Sequence, residues 1–252
     1  MTADRPGFVL VDDDVARGFE PFALTRPVGE LRAGGALMRH RWIQALAMPC
    51  IGFIAGPHLD AFAEFDSAPV ASAVLPSGTV LVNARCAPAL GGVVAHTPDV
   101  WRCGGRVAAV RLSEPLDTAA LRADGAAAAA AFENVRVEGA TTELDGWWLD
   151  AVWDLIGHLS EMLQADAIAL MPTTGAQVPA TLTVLGGHPV HVEAGATIEP
   201  FVVADASAGA VLIRRGAHVH AFTRLVGPCI IGEEVVVLGG RIAACSIGER
   251  VK

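Results

Sequence analysis

Lysine is almost missing from this chain: Lys252 is the single one in 252 residues, and tyrosine does not occur at all. Arginine therefore carries the positive charge, which favours planar, bidentate contacts and which a GC-rich genome also produces unaided. There is no Lys/Arg run, and the formal net charge is -9, so phosphate neutralisation along a nucleic acid is excluded as the leading function. Cys50, Cys86, Cys103, Cys229 and Cys245 are odd in number and show no C-x-x-C spacing. Neither a cysteine zinc site nor a disulfide framework is indicated, and a reducing cytoplasm is expected. A secretory leader is not expected, because Asp4 and Asp12 to Asp14 interrupt any apolar core near the start. No membrane span is expected either, because long uncharged stretches such as "SAPVASAVLPSGTVLVNA" contain Pro, Gly and Ser.

What is present is apolar and patterned: 52% of residues are hydrophobic and 18% charged, enough for a folded protein with two modest cores. "GFVLVDDD" reads as a buried parallel strand ending in acids. "GALMRHRWIQALA" places Leu37, Trp42, Ile43 and Leu46 on one helical face, and "CIGFIAG" and "GTVLVNAR" read as further strands, with "PHLDAFAEF" a short helix between them. "VAAVRL" predicts another strand. "DTAALRADGAAAAAAF" has high helix propensity broken at Gly125, although alanine-rich low complexity explains it as well. "WWLDAVWDLIGHLSEMLQADA" predicts one amphipathic helix carrying Trp148, Val152, Leu155, Ile156, Leu159 and Leu163. This alternation predicts an open α/β domain over residues 1–185.

From about Thr181 the spacing changes. Val192, Ile198 and Ala204 are six apart, and after nine more residues Ile213, Val219, Leu225, Ile231 and Val237 are again six apart. Gly195, Gly216, Gly227 and Gly232 fall between them, the pattern of a hexapeptide repeat. It predicts a parallel β-helix over residues 186–252, with a bent coil where Ile242 and Ile247 follow at five-residue steps. The chain stops at "SIGERVK" as a coil opens, so further coils or a capping partner are expected.

Three pieces, "EPFALTRPVGELRAGG", "VLVNARCAP" and "GGHPVHVEAGATIEPFVVADASAG", resemble the GlmU-like sugar nucleotidyltransferases. That resemblance implies an open Rossmann-like nucleotidyltransferase domain followed by a left-handed parallel β-helix that assembles a homotrimer. It implies a nucleoside triphosphate and a sugar 1-phosphate as substrates, with Mg2+ as cofactor. In such enzymes a glycine-rich turn and a lysine meet the phosphates; here Asp12, Asp13 and Asp14 replace the glycines and Val28 the lysine. Carboxylates repel polyphosphate unless a cation intervenes. Asp12, Asp13, Arg17, Thr25 and Asn83 are accordingly expected at the nucleotide, Asp13 and Asn83 at the metal, and Arg26 and Arg32 as the catalytic cations. A solvated loop with an N-cap is the alternative for the acids, an ion pair to Glu30 for Arg26, and a plain turn for Asn83. Asp145, Asp150 and Asp154 are candidates for a second ligand, against a solvated helix face. His218 and His220 alternate about Val219 and are expected on the outer surface rather than as acyl-transfer bases. The functions in contention are a sugar-phosphate nucleotidyltransferase, a non-catalytic nucleotide-binding scaffold that trimerises, and a hexapeptide acyltransferase.

Overall fold

Phe8–Val11 form a strand, β1, in which all four residues are buried, as four consecutive apolar residues require when both faces of a sheet are covered. The computed structural model describes residues 7–92, 98–133, 140–172 and 178–252. Its contacts divide the chain into one unit ending at Leu155 and another beginning at Ile156.

In the first unit β1 leads into a single helical turn, α1 (Asp14–Arg17), and later into α2 (Met38–Leu46), which buries Met38, Trp42, Ala45 and Leu46 on one face. The indole N–H of Trp42 donates to the Cys86 carbonyl at 2.9 Å, so α2 is held to the short strand that carries Cys86 by a bond as well as by apolar area. The crossover through α2 brings β2 (Cys50–Ile54) parallel to β1, and β3 (Val80–Asn83) runs parallel on the other side. β1 is thus the point at which the chain turns from one direction across the sheet to the other. A short strand, β4 (Cys86–Pro88), follows, and then β5 (Val100–Cys103) and β6 (Arg106–Arg111) form a hairpin. Its tight turn needs positive φ at both Gly104 and Gly105. β6 pairs antiparallel with β3, and β7 (Thr141–Leu144) extends the sheet beyond β5.

The alanine-rich segment folds as α3 (Ala119–Ala123) and α4 (Gly125–Glu133). Ala128 and Phe132 of α4 join the core beneath the sheet, so the segment has a packing role beyond low complexity. Gly125 lets α4 approach closely: a Cβ there would stand 2.7 Å from the Cα of Asp14.

Two expectations fail locally. "PHLDAFAEF" supplies only a 3-10 turn at Pro57–Leu59, because Leu59 is the single buried residue of the stretch and no apolar stripe holds a longer helix. Trp147 and Trp148 belong to a strand, β8 (Gly146–Trp148), which pairs antiparallel with β4. The predicted helix therefore loses its first residues to the strand, and its helical parts are a single turn at Asp154–Gly157 and α5 (Leu159–Leu170).

In that unit the six-residue aliphatic positions stack. The strands are β9 (Leu182–Gly186), β10 (Val190–Val192), β11 (Thr197–Ile198), β12 (Val202–Ala206), β13 (Val211–Ile213), β14 (His218–Val219), β15 (Thr223–Ile231), β16 (Val236–Val237) and β17 (Gly240–Ile247). All their pairings are parallel, in a curled sheet and a separate three-stranded ladder. Val192, Ile213, Ile231 and Ile247 form one column, Ile198, Val219 and Val237 a second, and Ala204, Leu225 and Ile242 a third. These residues share one core, where each fully buried aliphatic side chain contributes roughly 1.5–3 kcal/mol. The nine-residue step after Ala204 is a wider corner, closed where Gln164 of α5 accepts the Ala210 N–H at 3.2 Å. The five-residue steps near the end coincide with a register irregularity between β15 and β17. α5 covers the outer side of this sheet, packing Leu163 and Ala167 on Ala210, Leu212 and Ile230.

Candidate functional site

The acids after β1 are not a solvated loop, since Asp12 and Asp13 are 2% and 1% exposed and only Asp14 faces solvent. Asp12 accepts the backbone N–H of Val28 at 3.1 Å, pinning the "PFALTRPV" segment to the end of β1. Burial, with the neighbouring charge of Asp13 adding to it, pushes the Asp12 carboxyl up to about 7, against the opposing effects of the Val28 N–H and Arg17.

Asp13 caps α1 by accepting the Ala16 N–H at 2.9 Å. It also receives the Arg85 guanidinium: Nε lies 2.8 and 3.0 Å from its two oxygens, and a terminal nitrogen lies 2.8 Å from Oδ2. Asn83, at the end of β3, donates its amide to Asp13 Oδ2 at 2.9 Å and accepts the Arg85 backbone N–H on its own oxygen at 3.0 Å. Burial alone would raise the Asp13 carboxyl, but Arg85, the cap and Asn83 outweigh it and hold the group below the usual carboxylate range.

This arrangement bears directly on Mg2+. Both oxygens of Asp13 and the side-chain oxygen of Asn83 already accept hydrogen bonds, and a bidentate guanidinium stands where a hard cation would have to sit. The donor set does not fit a divalent ion at these two residues, because Mg2+ demands free, closely held oxygens. Arg85 supplies the positive charge instead.

Beside this cluster lies a cavity of about 620 Å³ at the carboxyl ends of β1 and β3, the usual ligand position of an open α/β sheet. Asp13, Asn83 and Arg85 line its floor, the β5–β6 hairpin contributes Arg102 and Arg106, and α4 contributes Ala126, Ala129, Phe132 and Glu133. Trp148 forms a wall, its indole N–H donating to the Cys103 carbonyl at 2.9 Å. The guanidinium of Arg106 lies over the Trp148 ring at 3.9 Å, which orients its N–H edge. Arg85 and Arg106 share the exposed carboxylate of Asp150, at 2.8 and 2.9 Å. Asp154 accepts the backbone N–H groups of Asp150 and Ala151, so it holds the turn that carries Asp150.

Of the residues singled out in the sequence, Asp12, Asp13 and Asn83 meet at the end of the sheet. Arg17 lies just behind them, donating to the carbonyls of Asp12, Leu121 and Arg122 and so closing the end of α3. Thr25 is exposed and bonds the Phe22 carbonyl, Arg26 pairs with Glu64 at 2.8 Å rather than with Glu30, and Arg32 donates to the Gly35 carbonyl at 2.7 Å. Thr25, Arg26 and Arg32 are not among the cavity's lining residues. Glu30 is instead taken by Arg39 at 2.8 Å.

The arginines that do line it, Arg85, Arg102 and Arg106, escaped the sequence reading. Arg85 had a local signal, its place two residues after Asn83 at a strand end, whereas Arg102 and Arg106 had none before the β5–β6 hairpin was known. Residues 8–173 match the family model described as sugar nucleotidyl transferase, a span that ends before β9. No curated protein matches the chain.

Proposed function

Because the chain belongs to the sugar nucleotidyl transferase family, we propose that its cavity binds a nucleoside triphosphate and a sugar 1-phosphate and joins them. A phosphate oxygen of the sugar 1-phosphate attacks the α-phosphorus, the bond from that phosphorus to the β-phosphate bridging oxygen breaks, and pyrophosphate leaves. The observation that carries this reading is the set of three arginines, Arg85, Arg102 and Arg106, around a cavity at the carboxyl ends of β1 and β3. Arg85 and Arg106 present fixed N–H donors to phosphate oxygens, which displace the exposed Asp150 carboxylate on entry. Trp148 offers an apolar wall and keeps the Arg106 edge in place.

The test is pyrophosphate release with each nucleoside triphosphate, Mg2+ supplied with the nucleotide, and glucosamine-type 1-phosphates. Release that requires both substrates is expected. Arg106→Ala should weaken nucleotide binding on the order of ten- to a hundredfold, the loss of one charge-assisted hydrogen bond. A second reading has its own support: Val28 in place of the lysine, with Asp12 closed on its backbone N–H and Asp13 on Arg85, suits a scaffold that binds nucleotide without turning it over. Nucleotide binding without pyrophosphate release would favour that scaffold, and absence of both would remove the cavity from consideration.

For the second unit we propose a left-handed parallel β-helix of hexapeptide type that assembles a homotrimer. The columns of stacked aliphatics support the helix. An exposed apolar ridge supports the assembly: Phe201 and Phe222 stack at 5.5 Å while 69% and 77% exposed, and Leu238 is 76% exposed. Sedimentation velocity is expected to give a trimer at micromolar chain concentration; a stable monomer there would remove the assembly.

A further inference from the structure

His218 and His220 flank the inward-facing Val219, so both side chains stand on the outer side of β14. The parallel register pairs Thr197 with His218 and Ile198 with Val219, and the Glu199 N–H donates to the Val219 carbonyl at 3.0 Å. Glu199 therefore arrives beside the two histidines from the neighbouring strand. His218 Nε2 lies 3.0 Å and His220 Nδ1 3.3 Å from the same oxygen, Glu199 Oε1. The imidazole rings stack at 4.3 Å with 16° between their planes, and one donor atom from each of the three residues falls within 4.8 Å of the others. The other carboxylate oxygen is fixed by the Ala221 N–H at 2.8 Å.

We propose that Glu199, His218 and His220 form a binding site for a borderline transition-metal ion such as Zn2+ or Co2+. Two imidazole nitrogens and one carboxylate oxygen suit such ions, whereas Mg2+ and Ca2+ take oxygen ligands. Zinc bonds of about 2.0–2.2 Å in a tetrahedral arrangement place ligand atoms roughly 3.3 Å apart, and two of the separations already stand near that value. His218 is hydrogen-bonded to that oxygen and His220 Nδ1 stands 3.3 Å from it, so an ion at their focus would meet both nitrogens and the oxygen together. The Ala221 N–H supplies the outer contact that orients a ligating carboxylate. The three side chains are each about one-third exposed, so a fourth position is left open to water or a small anion. The cavity of the first unit uses none of these residues.

The full chain, freed of metal by chelation, is titrated with Co2+ followed by visible absorption and with Zn2+ followed by calorimetry. Binding of about one ion per chain, with the absorption of nitrogen- and oxygen-ligated tetrahedral cobalt, is expected. Mg2+ should not compete. His220→Ala and Glu199→Gln should each weaken binding on the order of a hundredfold, and His58→Ala, a control outside the cluster, should leave it unchanged. Far-UV circular dichroism checks that the outward substitutions leave the strands intact; Glu199→Gln keeps an acceptor for Ala221 and serves should a histidine variant misfold. The proposal is overturned if the parent binds no Co2+ or Zn2+. Undiminished binding in folded His220→Ala or Glu199→Gln protein overturns it as well, as does a thiolate-to-cobalt absorption, which would assign the ion to cysteine.

Discussion

Arg85→Ala is expected to destabilise the protein by about 3–5 kcal/mol, the usual consequence of removing one partner from a buried ion pair. The Asp13 and Arg85 side chains are 2% and 7% exposed, and the guanidinium meets the carboxylate through two nitrogens. Without it Asp13 keeps the Ala16 and Asn83 contacts but loses its buried counter-charge. In the parent the Asp13 carboxyl is held below its ordinary value, so its stabilising contribution is present above that value and is lost only as pH falls through the lowered one. In the variant, burial acts on Asp13 against the Ala16 and Asn83 bonds alone, so its carboxyl is expected to rise and protonation to relieve part of the strain. The gap between parent and variant should therefore be widest near neutral pH and narrow in mild acid. Urea unfolding at several pH values measures it, and Asp13→Asn in the Arg85→Ala background should recover part of the loss. A gap below about 1 kcal/mol at neutral pH would mean that the pair behaves like an exposed one.

Asp12→Asn is expected to act in the opposite direction. The Asp12 carboxyl stands at about 7 in the folded chain against an ordinary 3.8, chiefly through burial. With a raised folded value, the folded state holds the proton more tightly, so the parent loses stability as pH rises from about 4 to 7 and then levels off. About three pH units at roughly 1.4 kcal/mol each make this loss about 4 kcal/mol. Asparagine keeps an oxygen for the Val28 N–H but cannot ionise. The variant should equal or exceed the parent in stability at pH 8, and the pH dependence of the difference between them should follow Asp12 alone. Parallel denaturation profiles from pH 5 to 8 for parent and variant would show instead that Asp12 ionises normally.

These two residues also show how differently the neighbours of one motif were exposed to sequence reasoning. That acids after a buried strand must be partnered is an elementary consequence of the cost of burying charge. A metal ion was one solution and an arginine another, and both were chemically open. The choice lay with Arg85, which the chain delivers only when β3 is placed next to β1. Val28 illustrates the same point from the loop: the position of the absent lysine contributes its backbone N–H to Asp12, an interaction for which side-chain identity gives no signal.

What the sequence determined by itself rested on short-range period. The four apolar residues of β1, the alternation about Val219 and the six-residue aliphatic steps each imply which side chains are buried, because burial recurs at the repeat of the local backbone. Tertiary structure alone decided the matters in which distant segments compete for the same backbone groups or charges. Trp148 fits a helical stripe yet pairs with Cys86, since sheet partners were available for its N–H and C=O groups. Arg26 went to Glu64 and Glu30 to Arg39, although Arg26 and Glu30 stand four apart, because the fold brought each a partner from elsewhere. The cavity's arginines come from β3's end and the β5–β6 hairpin, and their convergence follows from the order of strands in the sheet, which no local pattern encodes.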